Sequence, residues 1–189
     1  MKLTKQNMYN EKKMRKINNS LETEIVNALN EQIWLENNAS FYYLYLSTQF
    51  NMKGYTGIST FFLNQSQEER EHMLKIVDYL LSEDCMAHIP NYNFLEDLEE
   101  EFNIIGMFEN SLASEKRVTQ SIVDIVNLCK KLKDIKTENF MQWFITEQRE
   151  EENKFKDIID NLTIIGDDGG ALYDLNKRLG ELTSEEENI

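Results

Sequence analysis

The sequence predicts an all-α protein: a bundle of four helices with a long connection between the second and third and a short fifth helical piece. Three observations carry that reading. Four segments each show a hydrophobic seam at alternating steps of three and four, the spacing that keeps side chains on one helix face. One proline and seven glycines in 189 residues leave few interruptions. The seams also repeat, the second pair following the first at an offset of 79 residues.

Taking the elements in order, residues 1–19 are polar, lack a sustained apolar period and are expected to form a flexible extension. Residues 1–20 carry six Lys/Arg against one Glu, so nearly all of the acidity lies beyond them. The first helix is expected to begin near Asn19 or Ser20, where Asn19-x-x-Glu22 resembles a capping box, and to end before Gly54. Its seam reads Leu29, Ile33, Glu36, Ser40, Tyr43, Ser47, Phe50. The second runs from about Gly57 to Ser82, with Ile58, Phe62, Gln65, Glu69, His72, Ile76 and Tyr79 on one face.

Residues 83–94, with Pro90 and Asn91, form the long connection. The third helix is expected from about Leu95 to Lys131, its seam Phe108, Leu112, Glu115, Thr119, Ile122, Val126, Cys129. The fourth runs from about Thr137 to Ile164 through Met141, Phe144, Gln148, Glu151, Phe155, Ile158 and Leu162. Short turns make each successive pair antiparallel, so the middle connection is a crossover between two hairpins. Gly166, Gly169 and Gly170 mark a break before an amphipathic piece, Ala171 to Leu179, and residues 183–189 read as a frayed tail. The folded domain is thus expected over residues 20–182.

Each seam is broken near its middle by polar residues. Glutamate is almost never fully buried unless paired, because an isolated carboxylate is costly in a low-dielectric interior. Glu36, Glu69, His72, Glu115 and Glu151 occupy core positions, and no lysine or arginine lies on any seam. Glu36 precedes Glu69 by 33 and His72 by 36 residues; Glu115 precedes Gln148 and Glu151 by the same two gaps. The two ligand sets therefore reach one level of the core, and a metal is the remaining partner. Four carboxylates carry the charge that two divalent cations would neutralise. Carboxylate-rich ligation with one imidazole suits iron or manganese, though zinc could bind adventitiously. The predicted chemistry is oxidation of Fe(II) by O₂ or peroxide.

Glu69-x-x-His72 is a weak motif alone; its place in an apolar seam beside glutamates of two other helices gives it weight. Di-iron carboxylate bundles pair one glutamate from each of two helices with Glu-x-x-His from each of the other two. Here the second pair reads Gln148-x-x-Glu151. One residue earlier on the same helices lies a second acidic row, Glu68, Glu147 and Glu150, which could form a third, more exposed cation site sharing Glu151; a solvated face is the plainer reading.

The net charge of −14 argues against a general nucleic-acid binder. There is no run long enough for a transmembrane helix and no secretory signal, so no membrane role is expected. Cys85 and Cys129 are isolated, which points to a reducing compartment such as the cytoplasm and excludes a rubredoxin-like module.

The segments LNEQIWLENNASFYYLYLS, QSQEEREHMLKIVDYLL, ASEKRVTQSI, FMQWFITEQREEENKFKDIIDNL and GGALYDLNKRL resemble the non-haem bacterial-type ferritins over about residues 20–180. The resemblance implies a four-helix bundle with a short fifth helix, a 24-subunit shell, ferroxidase activity and storage of iron as ferric mineral, with Fe(II) and O₂ or H₂O₂ as substrates. Carried over by position, Glu36, Glu69 and His72 bind the first iron; Glu69 bridges to the second, held with Glu115 and Glu151; Glu68, Glu147 and Glu150 form the third site with Glu151. Tyr43 matches a tyrosine close to the first iron, and Gln148 is expected to hydrogen-bond a ligand or water. Haem-carrying bacterioferritins place a methionine where this chain has Arg70 and a histidine where it has Glu151, so no haem is expected. The alternatives are a non-storing di-iron peroxide or oxygen reductase of the rubrerythrin kind, and a purely structural bundle.

Overall fold

A computed structural model describes residues 20–89 and 102–186, with side chains to residue 181. The five helices are α1 (Thr23–Met52), α2 (Thr56–Ser82), α3 (Ile104–Leu132), α4 (Ile135–Ile165) and α5 (Gly169–Glu186), and no strand occurs among the described residues. α1 packs against α2 and α3, α3 against α4, and α5 against α2. The expected all-α bundle with a long second connection and a fifth helix is what the chain forms.

The predicted seams are the buried faces. Every residue of the α4 seam is buried, and on the other three only Ser40, Tyr79, Leu112 and Thr119 are half-exposed. The core falls into two apolar clusters. One, mainly aliphatic, gathers Ile25, Leu29 and Ile33 of α1, Ile76 and Leu80 of α2, Ile122 and Ile125 of α3, and Met141 of α4. The other is aromatic, with Tyr43, Phe50, Phe62, Phe108 and Phe155 as its centre; Phe62 lies 4.9 Å from Phe108 and 5.4 Å from Phe50, ring centre to ring centre.

The aliphatic cluster takes the start of α1, the end of α2, the end of α3 and the start of α4. α1 and α4 are therefore parallel, and both are antiparallel to α2 and α3. α2 ends beside the aliphatic cluster while α3 begins beside the aromatic one, so the two helix termini to be joined lie at opposite ends of the bundle. That is the physical reason for the long crossover; two parallel helices cannot be joined by a tight turn.

Local chemistry sets the helix ends. After α1, Gly54 takes φ +86°, its N–H reaching Asn51 O at 3.0 Å while Tyr55 N–H reaches Phe50 O at 3.0 Å. These are the paired bonds of a Schellman ending, which satisfies carbonyls the helix leaves free. Asp84 (φ 55°) and Lys133 (φ 61°) end α2 and α3 similarly without glycine. Asn103 and Asp134 cap α3 and α4, accepting from Gly106 N at 3.2 Å and Thr137 N at 3.0 Å. α2 receives its cap from a distant helix: Asn176 Oδ1 of α5 accepts from Ile58 N at 3.0 Å.

Four boundary expectations need correction. α1 starts at Thr23, with Glu22 extended before it and making no side-chain cap, while Asn19 of the expected capping box lies outside the described residues. Leu21 is buried in the aliphatic cluster, and Ser20 Oγ turns instead to Glu83, 2.7 Å from both its carbonyl and its Oε2. α3 starts at Ile104, not near Leu95: Phe102 and Asn103 are non-helical, because the Asn103 side chain takes the first-turn N–H that an earlier start would have spent on backbone. α4 begins two residues before Thr137, where Asp134 caps it. α5 is longer than Ala171–Leu179 and continues through residues 183–186, which were expected to fray. The anticipated extension at 1–19, Pro90 with most of the crossover, and residues 187–189 lie outside the described residues.

Candidate metal centre

Between the two apolar clusters lies one polar layer. It falls in the gap each cluster leaves on each helix: Glu36 on α1, Glu69 and His72 on α2, Glu115 on α3, and Gln148 and Glu151 on α4. All six are buried, Glu36 and Glu115 with no exposure at all. One helix turn separates Glu69 from His72 and Gln148 from Glu151, so both pairs face inward.

Glu36, Glu69 and His72 converge, each offering a ligand atom within 4.8 Å of the others. Gln32, one turn before Glu36, donates to its Oε1 at 2.8 Å. His72 Nδ1 sits 3.4 Å from Glu69 Oε2 without the alignment of a hydrogen bond. The imidazole is held by Trp143 and Phe144, which meet it edge-on at 5.4 and 6.2 Å between ring centres.

Across the layer, the Tyr43 hydroxyl donates to Glu115 Oε1. Gln148 Nε2 donates to Glu115 Oε2 at 3.0 Å and to its backbone carbonyl at 3.2 Å. Glu151 Oε1 accepts from Lys154 Nζ at 2.8 Å, and the same ammonium reaches Glu68 Oε2 at 3.0 Å. Gln65 Nε2 also donates to Glu68 Oε2.

Several buried atoms remain without a hydrogen-bond partner among the described residues: Glu36 Oε2, Glu69 Oε2, Glu151 Oε2 and His72 Nδ1, with the side-chain oxygens of Gln32 and Gln65. Buried polar groups are almost always satisfied. The four on ligand-type residues are electron-pair donors that a cation would satisfy; without one, Glu36 and Glu69 stand close enough to share a proton.

Burial raises the proton affinity of every carboxylate in the layer. Glu36 rises well above the ordinary glutamate value through desolvation and then the adjacent Glu69 charge. Glu69 rises well above it through desolvation and the Glu115 charge. Glu115 is raised by burial, against the Tyr43 and Gln148 hydrogen bonds that favour its charged form. Glu151 is pushed up to about 7 by burial, with Lys154 opposing. Burial and the neighbouring Glu115 and Glu69 charges drive Tyr43 well above the usual phenol value, so its hydroxyl stays a donor. A divalent cation reverses this balance by replacing protons as the carboxylates' partner.

The outer row is looser. Glu68 and Glu147 are half-buried and Glu150 is exposed. Among the described residues Glu68 bonds to Gln65 and to Lys154, which links it to Glu151. Lys154, Gln32, Gln65 and Trp143 were not singled out from the sequence. Gln32 and Lys154 lie one turn from Glu36 and Glu151, a spacing that could have flagged them; the Trp143 contact is set by packing between α2 and α4.

A family model described as Ferritin-like domain matches residues 26–165. The bacterial non-heme ferritin of Escherichia coli (strain CFT073) is 32% identical over 166 residues, covering 87% of this chain and 99% of that protein. The bacterial non-heme ferritin of Staphylococcus aureus (strain USA300) is 35% identical over 168 residues, covering 88% and 99%. Among solved structures, an open pore ferritin from the hyperthermophilic archaeon Archaeoglobus fulgidus superimposes with a TM-score of 0.80 at 34% identity, covering 85% of this chain and 97% of that one.

Proposed function

The chain belongs to the ferritin family, and from that premise we propose that it is an iron-storage ferroxidase working at the buried polar layer. One observation carries the reading: Glu36 Oε2, Glu69 Oε2, Glu151 Oε2 and His72 Nδ1, from three helices, are buried without a hydrogen-bond partner among the described residues. An all-protein core has no use for such atoms, and their desolvation opposes folding.

Fe(II) is the substrate. Glu36, Glu69 and His72 would hold one ion; Glu69, bridging, would hold a second with Glu115 and Glu151. Each Fe(II) gives up one electron, so a pair reduces O₂ to peroxide with uptake of two protons. The protein holds the ions next to each other and supplies oxygen ligands, which favour the ferric charge. Gln32 and Gln148 orient Glu36 and Glu115 through hydrogen bonds. Tyr43, fixed against Glu115, keeps that carboxylate aimed at the layer. Glu68, Glu147 and Glu150 would form an outer position sharing Glu151. Storage as ferric mineral within a 24-subunit homo-oligomeric shell is part of the same reading and rests on the family.

Aerobic addition of Fe(II) to metal-free protein, followed by particle mass and iron content, tests it. A large particle retaining far more iron than its binding sites hold is expected. A particle that oxidises Fe(II) but keeps only about two irons per chain, the occupancy of a dinuclear centre, would replace storage with a reductase of the rubrerythrin kind. No iron-dependent oxidation at all would remove both.

A further inference from the structure

Lys154 stands one turn beyond Glu151 on α4, and its ammonium is shared between two carboxylates of different helices. Nζ lies 2.8 Å from Glu151 Oε1 and 3.0 Å from Glu68 Oε2. One oxygen from each of two carboxylates is also how a hard divalent cation would be gripped at this position. We propose that Lys154 is a tethered cation that holds the outer Glu68–Glu151 pair shut, and that a divalent ion fills the outer position only by displacing the ammonium into solvent.

Three features support this role over that of a simple surface ion pair. Glu151 is only 1% exposed, so its partner cannot be replaced by water without cost, and among the described residues the Lys154 bond is the one it has for Oε1. The other oxygen, Oε2, is buried and unpartnered. Glu151 is thus divided, Oε1 engaged by the lysine and Oε2 left for the inner centre, so the inner positions are open while the outer one is closed. Lys154 itself is 35% exposed on a flexible four-carbon stem, so it has somewhere to go.

An ammonium and a divalent ion cannot occupy the same two oxygens, because like charges at contact distance repel strongly in a partly desolvated site. Binding at the outer position is therefore an exchange: the carboxylate pair trades one positive charge for two. The order that follows is inner positions first and the outer one last.

The inference rests on the preceding reading only in taking Glu151 as a ligand. It is tested with Zn²⁺, which binds without redox chemistry, by calorimetric titration of assembled, metal-free particles of wild type, Lys154→Met and Lys154→Arg. Methionine keeps the apolar stem and removes the charge; arginine keeps the charge. The expected result is a third binding step that is weak or missing in wild type and Lys154→Arg, and tightened in Lys154→Met by on the order of tenfold or more, the scale of one charge-assisted hydrogen bond to be broken. A third step unchanged in Lys154→Met, or tightened equally in Lys154→Arg, overturns the proposal. Loss of the first two steps in every protein, wild type included, would instead sink the metal-centre reading. A crystal structure of wild type at saturating Zn²⁺ decides independently of variant folding. Zinc between Glu68 and Glu151 with Lys154 turned away is expected, and zinc there with the lysine still bonded to both would end the idea.

Discussion

The Tyr43 hydroxyl on α1 donates across the bundle to Glu115 Oε1 on α3, so the aromatic cluster hands a proton donor directly to the polar layer. Tyr43 is fully buried and stacks on Phe155 at 5.7 Å between ring centres. Its ring belongs to the apolar core and its oxygen to the carboxylates. Tyr43→Phe keeps the first role and deletes the second. In metal-free protein this should cost about 1–3 kcal/mol, the price of stripping a buried acceptor of its donor. Glu115 then holds its own proton to higher pH, so half-maximal Zn²⁺ binding should also move to higher pH. Thermal unfolding with chelator and a pH series of zinc titrations measure the two effects; a variant indistinguishable from wild type in both would show the hydroxyl to be idle.

Stability of the metal-free protein should fall as pH rises. Glu36, Glu69, Glu115 and Glu151 all have folded-state proton affinities above the ordinary value. Their contribution is fully present below the ordinary glutamate value of 4.5 and is lost as pH climbs through each folded value, which for Glu151 is about 7. The folded state binds more protons than the unfolded, so the slope is negative. Melting temperatures in chelator should decline as pH rises from the ordinary 4.5 through about 7, the folded value of Glu151. Zn²⁺ should flatten the decline while releasing protons. A melting temperature that climbs across that interval in chelator would contradict the buried layer as described.

Glu36→Gln should separate stability from activity. The amide matches the carboxylate in shape but carries no charge, so above neutral pH it should stabilise metal-free protein by on the order of 1 kcal/mol. The same change removes a ligand from the Glu36–Glu69–His72 group. The fast phase of Fe(II) oxidation should slow at least about tenfold, as it should in His72→Ala. Stopped-flow absorbance on correctly assembled particles checks this, and an unaltered initial rate in both variants would relocate the centre.

Gly57 is the point where α2 and α5 touch backbone to backbone. A methyl group there would fall 1.7 Å from the Asn176 carbonyl oxygen. Backbone on both sides cannot give way as a side-chain tip does, so Gly57→Ala must push α5 outward and pull Asn176 from its cap on Ile58. A loss of about 1–3 kcal/mol or more is expected, with α5 becoming susceptible to protease while the four-helix core resists. Digestion at the same rate as wild type would show that the two helices part without consequence.

How much of this was legible in the sequence depends on range. The seams repeat at 3–4 spacing, so which face of each helix goes inward, and that Glu36, Glu69, His72, Glu115, Gln148 and Glu151 go with it, followed from local periodicity. The equal gaps in the two halves placed those six residues at one level. The end of α1 followed from a local residue, Gly54, and the start of α2 came within one residue of expectation although Asn176 caps it from 118 positions away. The starts of α3 and α4 were missed although their caps, Asn103 and Asp134, are local, and the start of α1 was missed where Ser20 is drawn to Glu83, 63 positions away. The outer acidic row illustrates the limit. Stepping one residue back along two helices gathered Glu68, Glu147 and Glu150 by angle alone; it could not say that Glu150 faces solvent or that a lysine stands between Glu68 and Glu151.

The amino-acid order by itself determined that this chain must bury acids in an apolar bundle, because periodicity assigns each side chain to a face regardless of its neighbours. Only the tertiary structure decided how those acids are partnered: which oxygens Tyr43, Gln148 and Lys154 satisfy and which are left bare. Partnering depends on distances of a few ångströms between helices remote in sequence, and no repeat along one helix encodes those.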